Sequence, residues 1–393
     1  TRYWRDWSSD VCSSDLVLVP PGLLEVFDAP PTRRASFGHL LGYRSDRPEG
    51  DPVVGDRCVV PPAAVRDAAG RFVLDSPRAM DRHATWLTND DATVEALVAD
   101  GAVDRSVDVS RPPVELRIEL GTERAAVTPR IPFLDEIDRR PMDETLFRSI
   151  VSGLGDSGDV DVVLDGVGDP LLHPDFDRFA SIAIEAGAGQ VRVRTDLLVE
   201  ESVVDRLIAA LVDVVEIDLD ADTEATWNAL RGGSGWSRVC ANLERLVASR
   251  RTVAVPPGQG MHAELTPGLP WIVPRIERRE ETLDDIAPFF ERWRSRLGSA
   301  VIDGPTRWPA SMGVSSDRLT PTAPPPRHDR IVARRRMTVL CDGTVPVLET
   351  DLRGEWNVGR LADRGLVECW ADVVQARIEH EERTGRPPVP WRS

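Results

Sequence analysis

Short apolar runs alternate with amphipathic helical patterns between residues 114 and 302, and this alternation constrains the fold more than any other feature of the sequence. Strands and helices that alternate at this spacing indicate βαβ units, in which the strands lie parallel in one sheet. We therefore predict an α/β fold, an open partial (β/α)6 barrel. The six runs are VELRIEL (114–120), VDVVLDG (160–166), QVRVRT (190–195), VVEIDLD (214–220), WIVPRIE (271–277) and SAVID (299–303).

Between these runs, apolar residues recur three and four positions apart, the spacing that places them on one face of a helix. The clearest predicted helices are FDRFASIAIEAGA (176–188), ESVVDRLIAALV (201–212) and TLDDIAPFFERWRSRL (282–297). A further helix-like pattern, DATVEALVAD (91–100), lies before the barrel.

Composition divides the rest of the chain into regions. Residues 17–110 are proline-rich and irregular, and we expect a truncated α/β remnant there. The barrel is predicted to span 114–305 and to be followed by a proline-rich linker at 306–326, which contains LTPTAPPP. Residues 327–393 are expected to form a small C-terminal module.

The segment DWSSDVCSSDL within residues 1–16 fits neither a signal peptide nor a metal-binding loop. It can be back-translated into a common sequencing-library adapter read in one frame. We therefore treat residues 1–16 as an artefact and leave them out of fold reasoning. We also expect that the natural protein begins further upstream, so that part of its N-terminal region is missing from this chain.

The formal net charge of −17 argues against a nucleic-acid partner, because an acidic protein and a phosphate backbone repel each other. No apolar run reaches the roughly 18 residues that a membrane helix needs, so we predict no membrane partner. The chain contains no lysine, which excludes a Schiff-base lysine and a P-loop lysine.

The cysteines outside the adapter segment, Cys58, Cys240, Cys341 and Cys369, are widely separated along the chain. No C-x-x-C pair, which would indicate metal binding or redox chemistry, is present. Spacing alone leaves disulfides open, but scattered buried thiols are typical of a cytoplasmic protein. We predict a cytoplasmic location and no metal site.

The phrase VVLDGVGDPLLHPDF (162–176) resembles the G-G-E-P-L-x-H-P-D-F stretch of radical S-adenosylmethionine (SAM) enzymes that carry a C-terminal SPASM domain. Further fragments follow in the order of that family. The resemblance implies a radical-SAM-type partial (β/α)6 barrel and a SPASM-like C-terminal module. The other matching fragments are RTDLL (194–198), EIDLDA (216–221), LRGGSGWSRVCANLERL (230–246), MTVLCDGTVPVLETD (337–351) and NVGRLADRGLVECW (357–370).

The family's defining motif is C-x-x-x-C-x-x-C, whose thiolates hold a 4Fe–4S cluster in the loop after the first strand. The corresponding loop here is IELGTERAAVTPRI (118–131). The resemblance places Arg124, Thr128 and Ile131 at the three cysteine positions. A guanidinium cation and a hydrocarbon side chain cannot ligate iron, so we predict that the cluster is absent.

The resemblance also implies a SAM site at the carboxyl ends of the strands, where ligands bind in such barrels. Asp169 corresponds to the acid that receives the SAM amine, and Arg231 to an arginine that can pair with the SAM carboxylate. Gly166 and Gly168 form a turn that would let a ligand approach the backbone, or a turn inherited only as scaffold. The family's Asn-Gly pair is Asp196-Leu197 here. The implied SAM contacts are Gly166, Gly168, Asp169, Asp196, Asp218, Asp220 and Arg231.

The aspartates at the strand ends, which include Asp165, have two explanations. Carboxylate oxygens could hold a divalent cation or favour a hydroxyl-rich ligand. The simpler explanation, which we favour, is a solvated rim on an acidic protein. His173 is expected to cap or pack at a helix start, with Pro174 at the first helical position, rather than to take part in chemistry. Leu348 stands at a SPASM cysteine position, and Cys341 is expected to be packed in a strand.

These residues predict a pseudoenzyme, a radical SAM/SPASM-like protein that has lost its iron–sulfur ligands. It would act by binding a peptide, a small molecule or a partner enzyme, with SAM retained at most as a structural ligand. No nucleophile–base pair in the sequence replaces the lost chemistry, so catalytic residues are unknown. The alternative depends on HLLGYRSDRPEGDPVV (39–54), which is similar to the closing segment of nucleotidyltransferase-like domains. The barrel would then be an accessory domain of a nucleotidyl- or glycosyl-transferase whose catalytic N-terminal half is missing here.

Overall fold

Seven parallel strands form the central sheet of the computed structural model, which describes residues 109–131, 137–252, 268–297, 300–303 and 335–384. In chain order the strands are β1 (Glu115–Ile118), β2 (Asp161–Leu164), β3 (Gln190–Thr195), β4 (Val214–Asp218), β5 (Arg251–Thr252), β6 (Gly268–Leu269), β7 (Trp271–Glu277), β8 (Val301–Asp303), β9 (Arg336–Val339), β10 (Thr344–Pro346) and β11 (Asn357–Arg360). The strand order in the central sheet is β8-β7-β4-β3-β2-β1-β9. Short antiparallel pairs, β5 with β6 and β10 with β11, lie outside this sheet.

The helices pack their apolar faces against the sheet. Asp143 caps the first of them by accepting a hydrogen bond from the Leu146 amide at 2.9 Å, and Thr223 caps the fourth in the same way. Helices and strands share one core, in which the rings of Phe147 and Phe179 stack 4.6 Å apart. In the described part of the chain, no helix is both long and apolar enough to cross a membrane. The helices are α1 (Glu144–Ser152), α2 (Phe176–Glu185), α3 (Glu201–Ala209), α4 (Glu224–Arg231), α5 (Trp236–Ala248), α6 (Leu283–Leu297) and α7 (Leu366–Thr384).

The predicted α/β class and parallel sheet are confirmed, and each of the six predicted runs contains one strand of the sheet. The seventh strand, β9, was not predicted to join them. It comes from the segment assigned to a separate module and pairs with β1, where Arg336 and Glu115 form an ion pair of 3.0 Å. The division into domains stays a prediction. Residues 1–108, which include 39–54 and 91–100, and the linker at 306–326 lie outside the described residues.

Charged side chains occupy the face of the sheet opposite the helices, which we call the inner face. Successive side chains of a strand point to opposite faces. In β1, Leu116 and Ile118 belong to the core, so Glu115 and Arg117 lie on the inner face. The same alternation in β3, β4 and β7 brings further charged residues to this face and to the carboxyl ends of the strands.

Candidate functional site

The carboxyl ends of β2, β3 and β4 bring together the charged residues that were predicted to contact SAM, and we call this region the mouth. Asp169 follows β2, Asp196 follows β3, Asp218 ends β4 and Asp220 comes shortly after it. Arg231, the last residue of α4, completes the group. Parallel strands end at one edge of a sheet, which is why residues distant in sequence meet here.

Arg231 links these aspartates. Its side chain is 1% exposed, and its guanidinium lies 2.8 Å from Asp196 Oδ1 and 2.8 Å from Asp220 Oδ2. It also donates to the Asp218 carbonyl at 2.6 Å. Burial alone would lower the pKa of Arg231, but the aspartates outweigh burial and hold that pKa above its ordinary value. Both terminal nitrogens therefore have partners within the protein.

The aspartates of the mouth do not form the solvated rim that we favoured from the sequence. Asp169 and Asp196 are each 5% exposed, Asp218 is 2% exposed and Asp220 is 1% exposed. Asp165 lies nearer the surface, with 13% of its side chain exposed. Buried carboxylates are costly unless they are paired or hydrogen-bonded. The rim prediction was wrong because arginines that it did not place nearby compensate these charges.

Arg130 and Arg194 provide much of this compensation. Arg194 Nε lies 2.9 Å from Asp218 Oδ2. Arg130 lies 2.6 Å from Asp220 Oδ1 and 2.8 Å from Asp303 Oδ2. Burial would raise the pKa of Asp218, but Arg130 and Arg194 outweigh burial and hold this pKa far below its ordinary value. The carboxylate therefore stays ionised although it is buried.

The sequence analysis missed the charged residues that complete this network, although a signal for them was present. The runs VELRIEL and QVRVRT carry charged residues two positions apart, and a period of two places them on one face of a strand. All but one of the missed residues lie on strands of the sheet, and Arg130 lies in the loop after β1. They are Arg117, Arg130, Arg192, Arg194, Glu216, Arg275, Glu277, Asp303 and Arg336.

The loop that follows β1, residues 120–131, lies against the mouth, and we call it the strap. Its backbone pairs with the turn after β2, because the Gly168 amide donates to the Gly121 carbonyl at 3.1 Å and the Asp169 amide donates to the Glu123 carbonyl at 2.8 Å. The strap holds Arg124, Thr128 and Ile131, the positions that the resemblance assigns to the family's cluster cysteines.

Arg124, at the first of those positions, inserts its guanidinium into the mouth. Its Nε donates to the Val167 carbonyl at 2.6 Å and its Nη2 to the Gly166 carbonyl at 3.3 Å. Its Nη1 lies 2.7 Å from Asp196 Oδ2, and the side chain is 5% exposed. Asp196 thus binds Arg124 with one oxygen and Arg231 with the other.

Gly166 and Gly168 lack side chains, and neighbouring parts of this chain occupy the space beside them. A Cβ atom on Gly166 would lie 2.6 Å from Cγ of Glu119, and one on Gly168 would lie 2.8 Å from the Glu123 backbone nitrogen. Both distances are too short for a side chain at either glycine. Glu119 is fully buried and forms an ion pair of 2.7 Å with Arg139. The space that a missing Cβ was expected to offer a ligand is filled by Glu119 and the strap.

Asp169 directs both carboxylate oxygens at its own chain. Oδ1 accepts a hydrogen bond from the Leu171 amide at 2.9 Å. Oδ2 accepts from the Thr195 hydroxyl at 2.8 Å and from the Asp196 amide at 2.9 Å. Burial, followed by the charge of Asp196, raises the pKa of Asp169 to about 6. The residue caps the turn after β2 and fastens it to the end of β3.

Leu197 has a left-handed backbone with φ of 55°, although it is fully buried and is not glycine. For a residue with a Cβ atom this conformation costs about 1–2 kcal/mol. Asn242 of α5 holds the loop by donating to the Leu197 carbonyl at 3.0 Å and to the Val199 carbonyl at 2.9 Å. The loop after β3, which carries Asp196, therefore has a fixed shape.

The remaining predicted positions are packed within the protein. Thr128 is 1% exposed and its hydroxyl accepts a hydrogen bond from a strap amide, while Ile131 is 7% exposed. Leu348 is half-buried. Cys341 is 1% exposed, and burial together with Glu119 raises the pKa of its thiol to about 12. The prediction that Cys341 is packed is confirmed.

His173 is packed, as predicted, but it does not begin a helix. One ring nitrogen lies 3.0 Å from the Met142 carbonyl, and the other accepts from the Asp175 amide at 3.1 Å. The helix begins at Phe176, so the prediction that Pro174 is the first helical residue was wrong. The cause is a short 3-10 turn, Pro170–Leu172, after which His173 lies in the connection to α2.

The residues of the mouth do not fit an iron–sulfur cluster or SAM in the arrangement that the structure describes. A 4Fe–4S cluster needs thiolates from the strap, which offers a cation, a hydroxyl and a hydrocarbon at those positions. Among the described residues, no group of three or more His, Cys, Asp or Glu side chains is arranged to hold a metal ion. The resemblance assigns the SAM amine and carboxylate to Asp169 and Arg231, but both carboxylate oxygens of Asp169 and both terminal nitrogens of Arg231 already bind within the chain.

Comparison with known proteins gives one family. The sequence model of the Radical SAM superfamily matches residues 133–260. An uncharacterized protein of Treponema pallidum (strain Nichols) is 25% identical over 121 residues, which are 30% of this chain and 32% of that protein. The fold is similar to that of Streptococcus suis SuiB bound to precursor peptide SuiA, with a TM-score of 0.50, 10% identity and coverage of 74% of this chain and 75% of that one. For SuiB bound to S-adenosylmethionine the TM-score is 0.45, at 11% identity and 68% coverage of each chain.

Proposed function

We propose that this chain, whose residues 133–260 match the model of the Radical SAM superfamily, is a pseudoenzyme of that superfamily, a cytoplasmic binding protein that performs no radical chemistry. The observation that supports this proposal most is the position of Arg124. The resemblance assigns the first cluster thiolate to this position, and the residue there is a cation that three acceptors hold in place. Reductive cleavage of SAM needs an electron from a cluster, and the strap has no cysteine to ligate one.

We extend the proposal to SAM itself, which we expect not to bind at the mouth. The resemblance assigns the SAM amine to Asp169 and the SAM carboxylate to Arg231. In the structure both residues bind Asp196 instead, Asp169 through the Asp196 amide and Arg231 through the Asp196 carboxylate. SAM would have to break buried ion pairs before it formed its own. We therefore do not propose SAM as a structural ligand of the mouth, the role that the sequence hypothesis had left open.

The partner that we propose is a peptide. SuiB, whose fold this chain shares, has been solved with a precursor peptide. This likeness is one of fold alone, so it suggests the class of partner as a hypothesis and does not identify the partner. The transferase alternative depends on residues 39–54, which lie outside the described residues, and no observation on the described ones favours it.

Anaerobic reconstitution with iron and sulfide tests the loss of radical chemistry. We expect the natural chain to take up no stoichiometric iron and to form no 5′-deoxyadenosine from SAM when a strong reductant is added. A matched variant with Arg124→Cys, Thr128→Cys and Ile131→Cys restores the family motif and serves as the control for the alignment. Formation of 5′-deoxyadenosine by the natural chain would contradict the proposal.

Calorimetric titration with SAM tests the proposal that SAM does not bind at the mouth. We expect no heat of binding from the natural chain or from Arg231→Ala. Micromolar binding, which corresponds to about −8 kcal/mol, would mean that the mouth opens for SAM. Its loss in Arg231→Ala would place the ligand at the mouth and overturn our assignment of this arginine to an internal role.

A further inference from the structure

The guanidinium of Arg124 has the surroundings of a bound ligand. Each of its three nitrogens meets a different acceptor, namely the Val167 carbonyl at 2.6 Å, the Gly166 carbonyl at 3.3 Å and the Asp196 carboxylate at 2.7 Å. A guanidinium is planar and its N–H donors point in fixed directions, whereas an ammonium is a compact point charge. Acceptors spread around the edge of the group therefore select a guanidinium.

These acceptors do not depend on Arg124 for their positions. The Val167 amide donates to Glu119 at 3.0 Å, which fixes the turn after β2. Asp196 is held by Arg231 at 2.8 Å and by the bond from its own amide to Asp169 at 2.9 Å. Removal of the Arg124 side chain therefore leaves a formed pocket behind it.

The pocket also has the charge that a cation requires. Asp196 is 5% exposed, and both of its oxygens bind guanidinium groups. Burial alone would raise its pKa, but Arg124 and Arg231 outweigh burial and lower that pKa. Without the side chain of Arg124, one of the two oxygens would be buried without a donor, and an unpaired buried charge is costly.

We infer that the turn at 166–167 and Asp196 form a guanidinium-binding site whose resident ligand is Arg124 of the strap. The ligand class is a guanidinium cation: the strap's own arginine in the natural chain, and an external guanidinium when that side chain is removed. The natural chain excludes the external cation because its own ligand is tethered at a high effective concentration. This inference goes beyond the proposed function and involves neither iron nor SAM, so either can fail without the other.

Thermal unfolding with added methylguanidinium tests the site. The natural chain, Arg124→Ala and a matched control, Arg148→Ala, are melted with increasing methylguanidinium or methylammonium chloride, at concentrations too low to denature. Arg148 also forms an ion pair of 2.7 Å, but its side chain is 51% exposed. We expect Arg124→Ala to melt about 5–10 °C below the natural chain and the control to melt within about 1–2 °C of it. Methylguanidinium should raise the melting temperature of Arg124→Ala alone, with saturation, and methylammonium should not.

Equal responses of Arg124→Ala to the two salts, or the same response in the control, would overturn the inference. If Arg124→Ala does not fold by itself, refolding from urea replaces the melting experiment. Recovery of folded protein with methylguanidinium but not with methylammonium supports the site. Recovery that is the same with both salts, including no recovery, refutes it.

Discussion

Replacement of Arg231 by alanine tests whether buried ion pairs hold the mouth together. Arg231 is 1% exposed on its side chain and bridges Asp196 and Asp220 at 2.8 Å each. Removal of one partner from a buried pair costs about 3–5 kcal/mol, because the other charge stays buried. Asp196 keeps Arg124 and Asp220 keeps Arg130, so we expect a loss near the lower end, about 3 kcal/mol in the free energy of unfolding.

Equilibrium unfolding in urea measures this loss as a shift of the midpoint at constant m. Arg238→Ala is the matched control, because Arg238 lies 2.6 Å from Glu200 but the two side chains are 54% and 72% exposed. Exposed ion pairs contribute about 0–1 kcal/mol. The two variants remove the same side chain from an ion pair of similar length and differ in burial. Equal losses from Arg231→Ala and Arg238→Ala would refute the reasoning.

Other contacts near the mouth give predictions of the same kind. Gly168→Ala places a Cβ against the strap backbone and should lower the free energy of unfolding in urea by about 1–3 kcal/mol. The control Gly233→Ala, with nothing within 4 Å of the new atom, should stay within about 0.5 kcal/mol of the natural chain. Similar effects of the two variants would mean that the strap moves aside at little cost. Asn242→Ala leaves two loop carbonyls without their donor and should cost about 2–4 kcal/mol, with faster hydrogen exchange in the loop after β3; unchanged exchange would count against it. Burial would raise the pKa of Asp303, but Arg275 and Arg130 outweigh burial and lower it from 3.8 to about 2. The resulting stabilisation of about 2 kcal/mol is present above pH 4 and is lost as pH falls through 2. Asp303→Asn should therefore flatten the acid side of the stability curve, and an unchanged slope would contradict the assignment.

The sequence was informative wherever the structural cause is local. The six strands of the barrel were found because apolar runs and helical periodicity depend on residues a few positions apart. The aspartates were correctly placed near one edge of the sheet, because the carboxyl ends of parallel strands must share an edge. The position of β9 beside β1 was not accessible in this way, since it depends on pairing between residues far apart, such as Glu115 and Arg336.

The same limit explains the wrong prediction of a solvated rim. From the sequence, Arg124 could be described only by what it replaces, a cysteine of the family motif. Its acceptors lie 42, 43 and 72 residues further along the chain, at Gly166, Val167 and Asp196. No local pattern predicts such partners. The charged alternation in β1 and β3 was the available signal that the inner face is polar, and that signal still does not specify which arginine meets which aspartate.

The balance of charge at the mouth sets a limit on what can bind there. A cation that binds Asp196, Asp218 or Asp220 competes with the arginine already paired with that carboxylate, and an anion that binds one of these arginines competes with its aspartate. Breaking a buried pair costs about 3–5 kcal/mol, and each 1.4 kcal/mol is tenfold in affinity, so a ligand that would otherwise bind at about 1 μM is weakened to between about 0.1 mM and a few mM. A guanidinium that replaces Arg124 like for like escapes this cost, and so does a peptide that binds outside the mouth. The paired residues are Arg124, Arg130, Arg194 and Arg231 with Asp196, Asp218 and Asp220.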